Sequence, residues 1–81
     1  MKSVNDDLVY AAEALTEKQR YILGGLARGE KVATVAADLG ISRPGAYSML
    51  NAARDILEAP TITGAVVAAL RVGVIDFPEA E

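Results

Sequence analysis

The sequence has no cysteine and no histidine among its 81 residues. Without cysteine there is no disulfide framework and no thiolate-bound metal. Without histidine the commonest general base and metal ligand is missing, which excludes a Ser-His-Asp triad and the usual zinc sites. No pair of carboxylates has a sequence context that indicates catalysis. We therefore expect no enzymatic activity, no metal and no cofactor.

Long hydrophobic runs are missing as well. No segment approaches the roughly 20 apolar residues that a helix needs to cross a bilayer, and Met1 to Leu8 lack the apolar region of a signal peptide. Apolar residues still make up 52% of the chain, and many of them are alanine. This composition favours closely packed helices in one small domain. We expect a cytoplasmic protein that does not contact membranes.

The net charge of −3 argues against a nucleic-acid binder when the chain is taken as a whole. The charges are unevenly distributed, however. Seven of the eight basic residues but only five of the eleven acidic ones lie in residues 15–75, which gives this stretch a net charge of +2. The acidity is concentrated in residues 1–14 and 76–81, so the centre of the chain remains compatible with DNA.

Hydrophobic periodicity and helix punctuation predict an all-α fold. A short first helix is expected over about 4–14, capped by Ser3 or Asn5. The clearest helix start is Thr16, where Thr-Glu-Lys-Gln has the form of a capping box with Gln19 reaching back. Gly29 is expected to end that second helix.

Two glycines, Gly24 and Gly25, lie inside the second helix at a cost of about 1 kcal/mol each relative to alanine. Either another backbone approaches closely at this point or the glycines are simply tolerated.

Three further helices follow from the same signals. One is expected over 31–39, and the next begins at the N-cap Ser42 and runs to about Ala59, where Pro60 ends it. The last helix starts at Thr61 or Thr63 and is closed by Gly73. The expected buried rows of the second to fourth helices are Ile22, Leu23 and Leu26; Val32, Val35, Ala36 and Leu39; and Ala46, Leu50, Ala53 and Leu57. The segment Val74, Ile75 and Phe77 is an apolar end that we expect to cover part of the core.

The most informative block is Val32 to Leu57, a short helix, a tight turn and a longer helix. Gly40 suits the turn because a left-handed backbone conformation disfavours a β-carbon. Ile41 fills the angle between the helices. This is the helix-turn-helix pattern, in which the second helix enters the DNA major groove by its N-terminal end.

Residues 15–75 resemble, without a gap, the DNA-binding domain of the LuxR/GerE family of bacterial regulators. The turn Leu-Gly-Ile-Ser is shared with many helix-turn-helix proteins, whereas the closing stretch Thr-Gly-Ala-Val-Val-Ala-Ala-Leu-Arg-Val-Gly-Val-Ile separates this family from region 4 of sigma factors. The matching segments are Leu15-Thr16, Arg20, Ile22-Leu23, Leu26-Ala27, Gly29, Val35-Ala36, Leu39-Gly40-Ile41-Ser42, Leu57, Thr63, Ala65-Val66, Ala69-Leu70 and Gly73-Val74-Ile75.

The resemblance implies a four-helix domain over 15–75, here preceded by an extra short helix or arm (1–14) and followed by an acidic tail (76–81). It also implies that the third family helix reads double-stranded DNA. The groove-facing positions fall on Tyr47, Ser48 and Asn51. Asparagine pairs bidentately with adenine and serine bonds to several bases, so these side chains suit base reading.

Two further sets of residues follow from this expectation. Lys18, Lys31 and Arg43 are expected to hold phosphates, and so is Arg54, unless it pairs with Asp55 or Glu58 instead. The resemblance also implies that the last helix pairs with its copy in a homodimer, unless its apolar residues are buried within one chain. The expected dimer residues are Val67, Leu70, Val74 and Ile75.

Two functions are therefore open. The first is a transcriptional regulator of bacterial or phage type that binds DNA as a dimer. The second is a protein-interaction module, such as an anti-activator or a protein that binds RNA polymerase or another regulator. The second is motivated by net acidity and by Gly45-Ala46-Tyr47-Ser48-Met49, which stands where the family usually has Thr-Val-Lys-Thr-His and so lacks the groove lysine.

Overall fold

The computed structural model describes residues 4–78, with side chains from Asp7 onward. Within this range the protein is all-α, which confirms the expected fold class. The helices are α1 (Val4–Ala12), α2 (Glu17–Ala27), α3 (Val32–Leu39), α4 (Arg43–Ile56) and α5 (Ile62–Val72). Two parts of the prediction lie outside the described residues and side chains. They are the capping of α1 by Ser3 or Asn5 and the end of the acidic tail, residues 79–81.

Local side-chain caps begin three of the helices. The Thr16 hydroxyl accepts a hydrogen bond from the Gln19 backbone N–H (3.1 Å), and the Gln19 side chain accepts one from the Thr16 N–H (2.9 Å), so the predicted capping box is confirmed. The Ser42 hydroxyl caps α4 at the Gly45 N–H. Thr61, rather than Thr63, caps α5.

Left-handed residues follow the ends of four helices. Three are the glycines that the sequence predicts, Gly29, Gly40 and Gly73. The fourth is Glu58, with φ of 53°. The Ala59 N–H donates to the Arg54 carbonyl (2.9 Å) and closes the turn. The expectation that Pro60 ends α4 near Ala59 is therefore wrong, because the chain has already turned at Glu58.

A turn of three residues joins α3 to α4, as the block Val32 to Leu57 predicts. Gly40 has φ of +68°, a conformation in which a β-carbon is strained. The Ile41 N–H donates to the Ala36 carbonyl (3.0 Å) and fixes the direction in which the chain leaves α3. The two helices then pack against each other, and α2 packs against both.

The predicted rows of apolar residues do form the core. Their central members are buried, while Leu26, Val32 and Leu39 are partly buried at its edge. The core residues are Ala12, Leu15, Ile22, Leu23, Val35, Ala36, Ala46, Leu50, Ala53, Leu57, Ala65, Ala69 and Ile75. Alanines from α4 and α5 occupy much of this set, so the helices approach closely with little side-chain volume between them.

The two glycines inside α2 differ in whether the structure has room for a β-carbon at their positions. A β-carbon at Gly25 would lie 2.6 Å from Cγ2 of the buried Val35, so α3 packs directly on the α2 backbone there. A β-carbon at Gly24 would meet only ordinary contacts, the nearest being Arg28 Nη1 at 3.5 Å. Gly25 is therefore explained by the close approach of a side chain, not of a backbone as one expectation had it. Gly24 is simply tolerated.

Helix α1 packs mainly against α5 and contributes Ala12 to the core. The segment after α5 returns to α2, where Ile75 is buried next to Gly24. Phe77 is exposed, so the expectation that it covers the core is wrong. The covering contact is made by Ile75, with Val74 partly buried beside it.

Candidate nucleic-acid interface

The three predicted base-reading residues share one exposed stripe of α4. Tyr47, Ser48 and Asn51 are all exposed, while Ala46 and Leu50 on the opposite side are buried. The 3.6-residue period of the helix separates the two sets, and burial of the apolar set fixes the rotation of α4 about its axis. The fold therefore presents this stripe outward without any other described element lying over it.

A polar contact that the sequence did not predict holds the start of α2 against the middle of α4. The Gln19 side-chain Nε2 donates to the Met49 carbonyl oxygen at 3.3 Å. Gln19 is only 8% exposed, so both halves of its amide are used, the oxygen in its own capping box and the nitrogen between helices. The capping pattern gave the first role, but nothing in the sequence spacing indicated the second.

Three of the four predicted phosphate ligands are exposed cations at the beginnings of helices. Lys18 lies in the first turn of α2, Lys31 at the N-cap of α3 and Arg43 at the first residue of α4. None of them forms an ion pair with another side chain of residues 7–78. No side chain caps the start of α3, and the free N–H groups of a helix start attract anions. These residues are therefore available to an anionic partner.

Arg54, the fourth predicted phosphate ligand, is directed elsewhere. Its Nη1 donates to the Pro60 carbonyl (3.4 Å), and its Nη2 lies 3.5 Å from the Asp55 carboxylate. Its Nε is buried without a partner. The alternative that the sequence left open, an intramolecular pair with Asp55, is what the structure contains. In this position Arg54 contacts the turn between α4 and α5 and does not project beside Tyr47, Ser48 and Asn51.

The four predicted dimer residues differ in how much of their side chains is exposed. Val67 is 47% exposed, and Leu70 and Val74 are partly buried. Ile75 is 8% exposed and belongs to the core, so its assignment to a dimer face is wrong. The Ile75 side chain packs against α2 next to Gly24 and is not available to a second chain. Helix α1 also gives α5 a partner within the chain, which sequence reasoning missed because separate helices carry no signal of which faces meet.

One further contact joins α2 to α3 at the surface. The Tyr21 hydroxyl donates to Asp38 Oδ2 at 3.2 Å. The negative charge of Asp38 and this hydrogen bond raise the pKa of the Tyr21 phenol above its usual value. The contact links α2 to the last turn of α3.

Comparisons with protein-family models, with curated proteins and with solved structures found no match to this chain. The LuxR/GerE resemblance therefore stays a prediction. Among the helices that the structure describes, none is both long enough and apolar enough to span a bilayer.

Proposed function

We propose that this protein binds double-stranded DNA through α4 and regulates transcription in the manner of a small LuxR/GerE-type regulator, in the cytoplasm of a bacterial cell. The observation that carries the proposal is the exposed stripe of Tyr47, Ser48 and Asn51 on a helix whose other side is locked in the core. Such a helix is rigid and keeps its polar side chains at a fixed spacing, as base reading requires.

The cations support the same orientation of DNA. Arg43 is the first residue of α4, and Lys31 is the N-cap of α3, which packs against α4. In the proposed complex the N-terminal end of α4 enters the major groove while these side chains and the nearby N–H groups contact phosphates on either side. Lys18 adds a third cation at the start of α2. The hydrogen bond between Gln19 and Met49 joins this part of α2 to α4.

A homodimer is part of the proposal because few cations are available to one chain. Two copies would double the phosphate contacts and read two half-sites whose centres lie about one helical turn apart. Val67 is the exposed member of the predicted dimer set, with Leu70 and Val74 at its edge. A Val67→Glu variant should shift the mass in solution from dimer to monomer, and a wild-type monomer at micromolar concentration would contradict this part.

Selection from a random duplex library, followed by affinity measurements over a range of salt, tests DNA binding. We expect an enriched motif and an affinity that falls steeply as salt rises. An Arg28→Ala variant, which loses an exposed cation already paired with Glu30 at the C-terminal end of α2, is the control and should bind like wild type. Absence of duplex binding at low salt, with the helical fold intact, would overturn the proposal.

A protein-interaction module is the second candidate, and one observation favours it. Arg43 and Asp55 are the only charged residues at the exposed α4 positions that surround Tyr47, Ser48 and Asn51, so this surface is nearly neutral. A neutral helix face with an exposed tyrosine suits a protein partner as well as a groove. Binding to purified RNA polymerase that Tyr47→Ala abolishes, with no binding to duplex DNA, would favour this candidate over the first.

A further inference from the structure

Asp55 lies on the same stripe of α4 as the proposed base readers. Asp55 follows Ser48 by seven residues and Asn51 by four. At 3.6 residues per turn it lies about 20° from Ser48 and about 40° from Asn51 around the helix axis, between the two. The Asp55 side chain is 76% exposed. The stripe that is proposed to face DNA therefore ends in a carboxylate.

The charge of Asp55 is only weakly compensated. Among residues 7–78 its one ion-pair partner is Arg54, at 3.5 Å. The Arg54 side chain is only 35% exposed and also donates to the Pro60 carbonyl. Glu58, exposed in its left-handed turn, adds a second carboxylate just beyond the helix. The C-terminus of α4 carries the negative end of the helix dipole. This end of the helix is therefore negative, whereas Arg43 makes the other end positive.

The length of α4 places this charge near the rim of the groove. Seven residues of helix span about 10 Å, and the major groove of B-DNA is about 12 Å wide. When Ser48 and Asn51 lie at base edges in the proposed complex, Asp55 lies near the rim of the groove and short of the far phosphate strand. A shift of α4 along its axis, as in a non-specific pose, brings the carboxylate onto the phosphates.

We propose that Asp55 is a specificity-determining residue that weakens non-specific DNA binding more than binding at the cognate site. This inference rests on the proposed function of α4. In the cognate pose the carboxylate stands clear of the phosphate strand. In other poses it meets phosphate charge and destabilises the complex. The chain thereby compensates for a small set of cations by rejecting wrong sequences.

Asp55→Asn tests this because it removes the charge and keeps the shape. We expect affinity for random-sequence duplex to rise about three- to tenfold at low salt, with a salt slope steeper by up to about 0.9. Affinity for the site selected by wild type should change by at most about twofold, so the ratio of specific to non-specific affinity falls. The variant should fold normally, since a carboxylate at a helix C-terminus does not stabilise the helix.

Glu13→Gln is the matched control, because it makes the same change in net charge on an exposed residue just after α1. It should leave both affinities unchanged. Three results would overturn the inference: an equal rise for Glu13→Gln, an equal rise on selected and random duplexes for Asp55→Asn, or no change at all in a protein that does bind its selected site. Lack of duplex binding by wild type and variant alike would overturn the proposed function together with this inference.

Discussion

The side-chain amide of Gln19 donates to the carbonyl oxygen of Met49, 30 residues away, and joins the start of α2 to the middle of α4 at 3.3 Å. The same amide accepts the Thr16 N–H and completes the cap of α2. A carboxylate at this position can keep the cap but has no hydrogen to donate to Met49. The two roles of Gln19 can therefore be separated by substitution.

We expect Gln19→Glu to lower the free energy of unfolding by about 1–2 kcal/mol, because an ionised acceptor then faces the Met49 carbonyl in a buried position. Thr16→Ala, which removes the cap and keeps the bond between helices, should cost about 1 kcal/mol. Urea unfolding monitored by circular dichroism measures both. A Gln19→Glu variant as stable as wild type would mean that the contact with α4 contributes nothing.

The neighbouring glycines of α2 should respond in opposite directions to alanine. Gly25→Ala forces a β-carbon against Val35 and should destabilise the fold by about 1–2 kcal/mol, since the cost of overpacking exceeds the gain in helix propensity. Gly24→Ala has room and should stabilise by up to about 1 kcal/mol. Thermal unfolding of the two variants provides the comparison.

A double-mutant cycle identifies the cause at Gly25. Val35→Ala should cost less in the Gly25→Ala background than in wild type, because the alanine at 25 partly fills the space that Val35 leaves. Equal costs in the two backgrounds would show that Val35 is not what excludes a side chain at this position.

Glu58 is a site where stability can be gained. Its left-handed conformation is unfavourable for a residue with a β-carbon, and its charge lies at the negative end of α4. Glu58→Gly should raise stability by about 1 kcal/mol, or roughly 4–8 °C in Tm. Glu58→Gln, which removes only the charge, should give a smaller gain. If the glutamine variant gains as much, electrostatic repulsion rather than backbone strain is the cause.

The contact between Tyr21 and Asp38 predicts a pH dependence at high pH. The charge of Asp38 and the hydrogen bond raise the pKa of Tyr21 in the folded state. The contact between Tyr21 and Asp38 therefore stabilises the fold fully at pH values below the Tyr21 pKa of the unfolded chain, about 10. It is lost as pH rises through the folded value. The phenolate absorbance that Tyr21→Phe removes should titrate above pH 10. In Asp38→Asn this titration should move back toward about 10, and an unchanged midpoint would contradict the assignment.

The DNA-reading assignment predicts two different losses on the selected site. Asn51→Ala should relax specificity at one position at a cost of about 1–3 kcal/mol for the preferred base. Arg43→Ala should weaken all duplexes about equally and reduce the salt slope by about 1. Competition binding against single-base variants of the site separates them. If Asn51→Ala weakens all bases equally, Asn51 positions the helix and does not read sequence.

The sequence by itself determined the features that depend on neighbours within about four residues. The caps at Thr16 and Ser42, the left-handed Gly40 and the apolar rows all follow from local hydrogen bonding and helical period, and the structure has them where they are expected. It also predicted that Tyr47, Ser48 and Asn51 share the outer side of α4, because the buried row fixes the opposite side.

Tertiary structure decided the contacts between residues that are distant in sequence. Gln19 reaches Met49, Val35 fills the space over Gly25, α1 covers part of α5 and Ile75 enters the core. These outcomes depend on which helix faces meet and at what distance. Helical periodicity identifies the apolar face of each helix but does not show which other helix packs against it. The same is true of Glu58, which takes the left-handed conformation that glycine usually supplies after a helix, although its residue type gives no signal of it.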